Sequence, residues 1–223
     1  MEHPLNISML FPADIGHTYW HVMMTFVVML FTLFLGSIAS RQGSEIPGRA
    51  QGAFETAVGA VYNMGVELMG EEGKPYIPLI FGIGVYVLFS NWMGLIPGFL
   101  APTSNLNSTI APALVVFFTY QAIGIKKHGA HYIKHFLGPV AFLAPLMFVI
   151  EVIGHLARPM SLSMRLFGNV FGEELVIVIL FMLVPFLIPL PMVMLGMFTG
   201  ALQAYVFMML SMIYISGALE EAH

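Results

Sequence analysis

The chain has 223 residues, 58% of them hydrophobic and only 9% charged, against about 25% charged in an ordinary soluble domain. That balance leaves too few charges to coat a soluble globule, and the formal net charge of −4 is too diffuse to suggest a nucleic-acid partner. The absence of cysteine excludes disulfides, thiolate metal sites and cysteine nucleophiles.

Residues 1–21 carry acids and no basic n-region, so they read as an outer N-terminal segment rather than a cleaved signal or an Arg-rich transit peptide. Insertion is then expected to rely on internal segments. The first is 22–39, preceded by Tyr19 and Trp20 as interfacial anchors and followed by Arg41. Segment 51–72 differs: Phe54, Val58, Val61 and Leu68 recur at helical spacing, while Glu55, Glu67, Glu71 and Glu72 lie elsewhere. This predicts a short amphipathic helix, lying along the interface or packed on a neighbour.

No Asp, Glu, Lys or Arg occurs in 75–125 or in 175–219. Each run suffices for about two crossings at about 20 residues apiece. Strand-like alternation is missing, and a backbone in lipid must satisfy its own hydrogen bonds, so these runs are helices. Pro97, Gly98, Pro102 and the turn residues Asn105 and Asn107 divide the first run into helices 76–96 and 109–125. A polar loop from Lys126 to His135 follows. Stretch 137–184 is too long for one perpendicular span. Pro185, Pro189 and Pro191 end it, and a last helix covers 192–216. The expectation is an all-α membrane protein, a single polytopic domain over 1–223. It has about five membrane-embedded helices plus the amphipathic one, and 137–216 forms a long, strongly tilted hairpin.

Arg41, Arg49, Lys74, Lys126, Lys127 and Lys134 fall in the two loops that share one side. The positive-inside rule makes that side cytoplasmic, with the N-terminus outside and the C-terminus, near Glu220 and Glu221, inside. His131 and His135 are one turn apart, but the lysines around them describe a solvated basic loop, and no metal is expected. The 18 methionines suit adaptable packing in lipid.

The informative stretch is 151–175, EVIGHLARPMSLSMRLFGNVFGEEL. It sets Glu151, His155, Arg158, Arg165, Glu173 and Glu174 in apolar sequence, where a mid-bilayer charge costs about 2.5 to 3.5 kcal/mol on insertion scales. Such groups need a polar partner or water. At about 100° per residue, Arg158, Ser161, Leu162, Arg165, Asn169 and Gly172 share one side of the helix, and Glu174 falls nearly opposite Arg165. Two polar entries separated by one permanent cation suit the movement of an ion in two steps. Arginine does not release its proton near neutrality, so it serves as a fixed charge rather than a proton wire. The competing explanation is a buried ion-pair network that only holds a bundle together. In the last helix Gly196 and Gly200 form a GxxxG pair suited to close helix packing. With Gln203, Phe207, Ser211 and Tyr214 they make a small and polar stripe, which would let this helix approach the Arg165 helix.

The motifs SLSMRLFGNVFGEEL at 161–175, ALQAYVFMMLSMIYIS at 201–216 and PTSNLNST at 102–109 closely resemble those of subunit a of F-type ATP synthases. The likeness in order and spacing covers nearly the whole chain after the N-terminal segment. The resemblance implies that Arg165 is the essential stator cation facing the carboxylates of a rotating c-ring. It implies that Asn169, Glu174 and Gln203 belong to the half-channel open to the outer side, and that Glu151, Arg158 and Ser161 lie near the cytoplasmic half-channel. Asn105 stands where some members carry an aspartate, and its place in the outer channel is correspondingly weaker. Some members have glycine at the position of Glu173 and histidine at that of Gly196, so here a protonatable group is kept on the other helix.

The implied function is translocation of an ion, the proton first, through two offset half-channels past the c-ring, coupling the gradient to ATP synthesis. The implied partners are the c-subunit ring and the peripheral-stalk b subunits. The chain itself shows no phosphate-binding glycine loop with lysine, so no catalytic site and no cofactor are expected in it. The missing transit peptide favours a bacterial inner membrane over a thylakoid or other organelle membrane. The alternative is a secondary transporter or antiporter that uses the buried acids and Arg165 for its substrate, but such folds often carry two related halves, and no repeat is visible here.

Overall fold

A computed structural model describes residues 20–41, 49–96, 99–129, 144–183 and 189–220. Among them the chain is helical and without strands: α1 (Trp20–Arg41), α2 (Arg49–Met69), a 3-10 turn (Glu71–Tyr76), α3 (Ile77–Met93), a second 3-10 turn (Pro102–Ser104), α4 (Leu106–His128), α5 (Ala144–Leu183) and α6 (Pro189–Leu219). Five segments are long and apolar enough to cross a membrane: Trp20–Ser37, Glu71–Met93, Leu106–His128, Pro145–Leu183 and Leu190–Leu219. The N-terminal segment before Trp20, the loop with His131 and His135, and the Pro185 break lie outside the described residues.

Several helix hydroxyls are satisfied within their own helix, as lipid favours. Thr32 donates to the Met29 carbonyl at 2.8 Å, Thr119 to Val115 at 2.7 Å and Ser211 to Phe207 at 2.7 Å. Each hydroxyl is thereby folded back onto its own helix.

The amphipathic helix ends earlier than the spacing of its acids suggests. Gly70 takes φ 67, a left-handed conformation that glycine adopts without a Cβ penalty, so α2 stops at Met69 and Glu71 and Glu72 pass into the 3-10 turn. At its other boundary α4 begins at Leu106, three residues before the expected 109. Asn105 is the reason: its backbone is extended and its side chain accepts from the Asn107 N–H at 3.0 Å, the N-cap arrangement.

One core joins four helices. Val87 of α3, Ala113 and Val116 of α4, Leu162, Leu166 and Val170 of α5, and Ala204 and Phe207 of α6 are buried together. A second cluster, with Met69, Ile77, Tyr120, Ile123, Met212 and Ile215, ties α2 to the same bundle. Helices α3 and α6 meet closely because Gly84 has no side chain: a Cβ there would overlap Met208.

Two ends of the bundle are defined by contacts. At one, the Lys127 ammonium pairs with Glu72 and donates to the Leu219 carbonyl at 2.7 Å, and Lys74 pairs with Glu71. The end of α4, the start of α3 and the end of α6 therefore share this lysine-bearing side. At the other, the α3–α4 connection meets α5 where the Ala101 N–H donates to Glu174 at 3.0 Å.

Helix α5 has 40 residues and so extends about 60 Å at about 1.5 Å per residue, twice the roughly 30 Å hydrocarbon thickness. Pro159 lies within it. A proline nitrogen has no hydrogen to give, so the carbonyl of His155, four residues earlier, loses its helical donor.

Candidate functional site

Arg165 sits a little past the middle of α5 and its side chain is exposed. Among the described residues no carboxylate lies within ion-pair distance of it. Ser161, Gly168 and Asn169 on the same helix are exposed too, and a Cβ at Gly168 or Gly172 would meet open space. The guanidinium thus stands on an outward face made of small and polar groups.

The side-chain stripe expected on this helix is split. Leu162 (1% exposed) and Leu166 (0%) turn into the core, while Ser161 and Arg165 stay outside. Arg158 also turns inward. Its Cζ lies 5.6 Å from the ring centroids of both Tyr120 and Tyr214, a cation held between two aromatic faces.

Asn169 links the Arg165 face to α6. Its Nδ2 donates to Gln203 Oε1 at 2.9 Å. Gln203 is 5% exposed, and its Nε2 is buried without a hydrogen-bond partner among the described residues.

The two acids toward the α3–α4 end are held differently. Glu174 accepts from the Ala101 N–H, which pins it against the α3–α4 connection. Glu173 Oε2 accepts from Thr199 Oγ1 at 3.1 Å, and its other oxygen is buried with no hydrogen-bond partner among the described residues. Both line a cleft with Asn91, Gly94, Leu95 and Gly196. An unpaired buried carboxylate oxygen is expensive unless water or an incoming proton reaches it, and the cleft beside it carries both polar and apolar walls.

Toward the other end of α5, Glu151 Oε1 lies 3.4 Å from His155 Nε2. His155 is 7% exposed, and its Nδ1 lies 3.1 Å from the Tyr120 hydroxyl. The acids therefore fall in two groups at opposite ends of the bundle, with Arg165 between them in the chain.

The glycine pair of the last helix divides its work. Gly196 faces Glu173 of α5 and Leu95, whereas Gly200 faces Asn91 and Trp92 of α3. Gly200 thus brings α6 to α3 rather than to the Arg165 helix, a correction to the expected stripe. Asn105 spends its side-chain oxygen on capping α4.

Several polar residues here escaped the sequence reading. Asn91 donates to the Gly200 carbonyl at 3.3 Å and accepts from Thr103 Oγ1 at 2.8 Å, and Trp92 donates to the Met197 carbonyl at 3.0 Å. The available signal was an amide inside an otherwise apolar run, which in a membrane helix calls for a partner. Thr199, one turn from Gly196, gave no such signal. Among the described residues no cluster of three or more metal-ligating side chains forms.

The ATP synthase A chain family model matches residues 22–216. The protein named ATP synthase subunit a 1 of Pelobacter propionicus is 55% identical over 199 residues, covering 89% of this chain and 87% of the relative. ATP synthase subunit a of Geobacter sulfurreducens is 52% identical over 99% of this chain and 93% of its own length. That of Trichlorobacter lovleyi is 54% identical with both chains covered completely. With five apolar helices of spanning length and relatives of this identity, the chain is a multi-pass membrane protein and belongs to the ATP synthase A chain family, as a subunit of the ATP synthase complex.

Proposed function

We propose that this chain is the stator that passes ions, the proton first, between two offset half-channels and a rotating ring of c subunits, so that the transmembrane gradient drives ATP synthesis. The observation that carries this is the exposed, unpaired guanidinium of Arg165 on a 40-residue apolar helix. In lipid such a charge is costly, and the chain itself supplies no carboxylate for it among the described residues. The partner is an acid brought by another helix, and the small face around Gly168 and Gly172 lets that helix come close.

The mechanism follows from the charge. A rotor carboxylate arrives neutral with its ion bound, and an opposite charge within about 4 to 6 Å favours its ionised form. The ion leaves by one half-channel. Beyond the arginine the carboxylate is reloaded from the other, and the fixed cation blocks direct leakage between the two. Each unit charge that crosses 100 mV releases about 2.3 kcal/mol. Glu173, Glu174, Asn169 and Gln203 form the outer path, with Asn105 at its rim. Glu151 and Ser161 form the cytoplasmic path, with Arg158 in its wall.

The lysine-bearing end is assigned to the cytoplasm of a bacterium, with the C-terminus there and the N-terminus outside the inner membrane. The b subunits of the peripheral stalk keep the chain from turning with the ring, and ATP chemistry belongs to other subunits. A transporter would need Arg165 to face an enclosed site, and its outward exposure argues against that.

The test uses the natural lack of cysteine. A single Leu202→Cys, at an exposed position one residue before Gln203, is expected to form a disulfide with a cysteine in the carboxylate-bearing helix of subunit c. Cross-linking only to subunits other than c would contradict the proposed rotor face.

A further inference from the structure

The His155 side chain is buried in a chain of three titratable groups. Glu151, partly exposed on the same helix, lies 3.4 Å from Nε2, and the Tyr120 hydroxyl from α4 lies 3.1 Å from Nδ1. The Tyr120 and His155 rings are also stacked, with centroids 5.8 Å apart.

The same hydroxyl lies 3.4 Å from the His155 carbonyl oxygen. That carbonyl accepts no helical hydrogen bond from residue 159, because residue 159 is proline. One phenol proton thus has two acceptors on a single residue. With Nδ1 unprotonated, the hydroxyl donates to it. With Nδ1 protonated, the hydroxyl turns to the His155 carbonyl and its oxygen accepts from Nδ1–H. Both charge states of the imidazole find partners, which a buried histidine in apolar surroundings does not normally have.

We propose that Glu151 and His155 act as one proton-holding pair in the cytoplasmic path, with the Tyr120 hydroxyl as the element that adjusts to its charge. The inference rests on the half-channel reading given above. In ATP-driven pumping one proton passes from hydronium at the cytoplasmic mouth to the pair, forming an N–H bond on His155 or an O–H bond on Glu151. It then leaves for the rotor carboxylate, and the pair returns to its starting charge. The pair offers the cytoplasmic path two proton-accepting groups in contact, where a lone carboxylate would offer one.

Other groups face the pair. On α5 the Arg158 guanidinium lies over the Tyr120 ring, 5.6 Å from its centroid. Tyr120 from α4 and Tyr214 from α6 also lie beside Arg158, and Lys127 is engaged with Glu72 and Leu219 at the end of the bundle.

The experiment measures ATP-driven proton uptake by inverted membrane vesicles carrying the whole complex, as external pH, which is the cytoplasmic side, is raised from about 5.5 to about 8.5. Each variant is normalised to its own maximum and to assembled subunit a. His155→Gln is expected to move the alkaline limb about one pH unit lower, a tenfold higher proton requirement. Tyr120→Phe keeps the imidazole but loses the turning hydroxyl, and is expected to move it the same way by less. Should His155→Gln fail to assemble, the Tyr120→Phe profile decides.

Unmoved limbs in the assembled variants, or a uniform loss at every pH, would overturn the pair. Arg165→Ala vesicles measured alongside separate the two ideas. Normal pumping there removes the half-channel reading itself, whereas silent Arg165→Ala vesicles with unmoved limbs in the assembled His155 and Tyr120 variants remove only the proton-holding pair.

Discussion

The carboxylate of Glu173 occupies the space that a side chain on Gly196 would need. A Cβ at that position would overlap Oε1 of the acid and press on Leu95. The acid on α5 and the missing side chain on α6 are therefore one feature, and only one of the two positions has room for a large polar group.

Gly196→Ala should thus act as overpacking, destabilising by about 1 to 3 kcal/mol. Glu173→Gly added to it should recover most of the loss, since the oxygen that collides is gone. Glu173→Gly with Gly196→His should restore a protonatable group to the same place and pump better than Gly196→His alone. A double-mutant cycle on thermal unfolding in detergent measures the coupling. Additive effects would mean that the two positions do not share the space.

Asn91 predicts a cost of another kind. It holds Thr103 at 2.8 Å and the Gly200 carbonyl at 3.3 Å, and is 5% exposed. Asn91→Ala leaves both groups buried without it, at about 1 to 3 kcal/mol. The loss should appear as a lower midpoint of thermal unfolding. By contrast Glu72→Gln removes an exposed pairing with Lys127 and should cost less than about 1 kcal/mol.

Glu174→Gln separates a structural from a functional role. A glutamine oxygen still accepts from the Ala101 N–H, so the contact at the α3–α4 connection survives. What is lost is a group that can take up and release a proton, a contribution of about a hundredfold or more. Passive proton conduction from the outer side should fall by up to about that factor while the amount of assembled complex stays constant. An unchanged rate would take Glu174 out of the path.

Much of the architecture is legible in the residues because lipid leaves few options. Two long charge-free runs, broken by Pro97 to Asn107 and by Pro185 to Pro191, point to helices and to where they part. Arg165 stands out for the same reason: a permanent charge amid apolar residues has to be explained. The pairing of Glu173 with Thr199, the bond from Asn91 to Gly200 and the approach of Tyr120 to His155 were not legible. Each joins residues 26 or more apart, and depends on how helices rotate about their axes, which spacing within one helix does not set. The end of α2 at Gly70 and the cap at Asn105 depend instead on local backbone conformation, and there the glycine and the asparagine were readable signals.

Arg165→Lys distinguishes a fixed charge from any charge. Lysine is a compact cation whose proton is lost more readily on burial, so it should restore little or no coupled pumping and should let protons cross between the half-channels.

The most direct test is ATP-driven proton pumping by vesicles carrying Arg165→Ala, with assembly of the complex checked by the amount of subunit a that co-purifies with the c-ring. Pumping is expected to vanish while the complex remains assembled and hydrolyses ATP. Pumping at the native rate by that assembled variant would contradict the central claim that an outward-facing guanidinium on α5 is what the moving carboxylates meet.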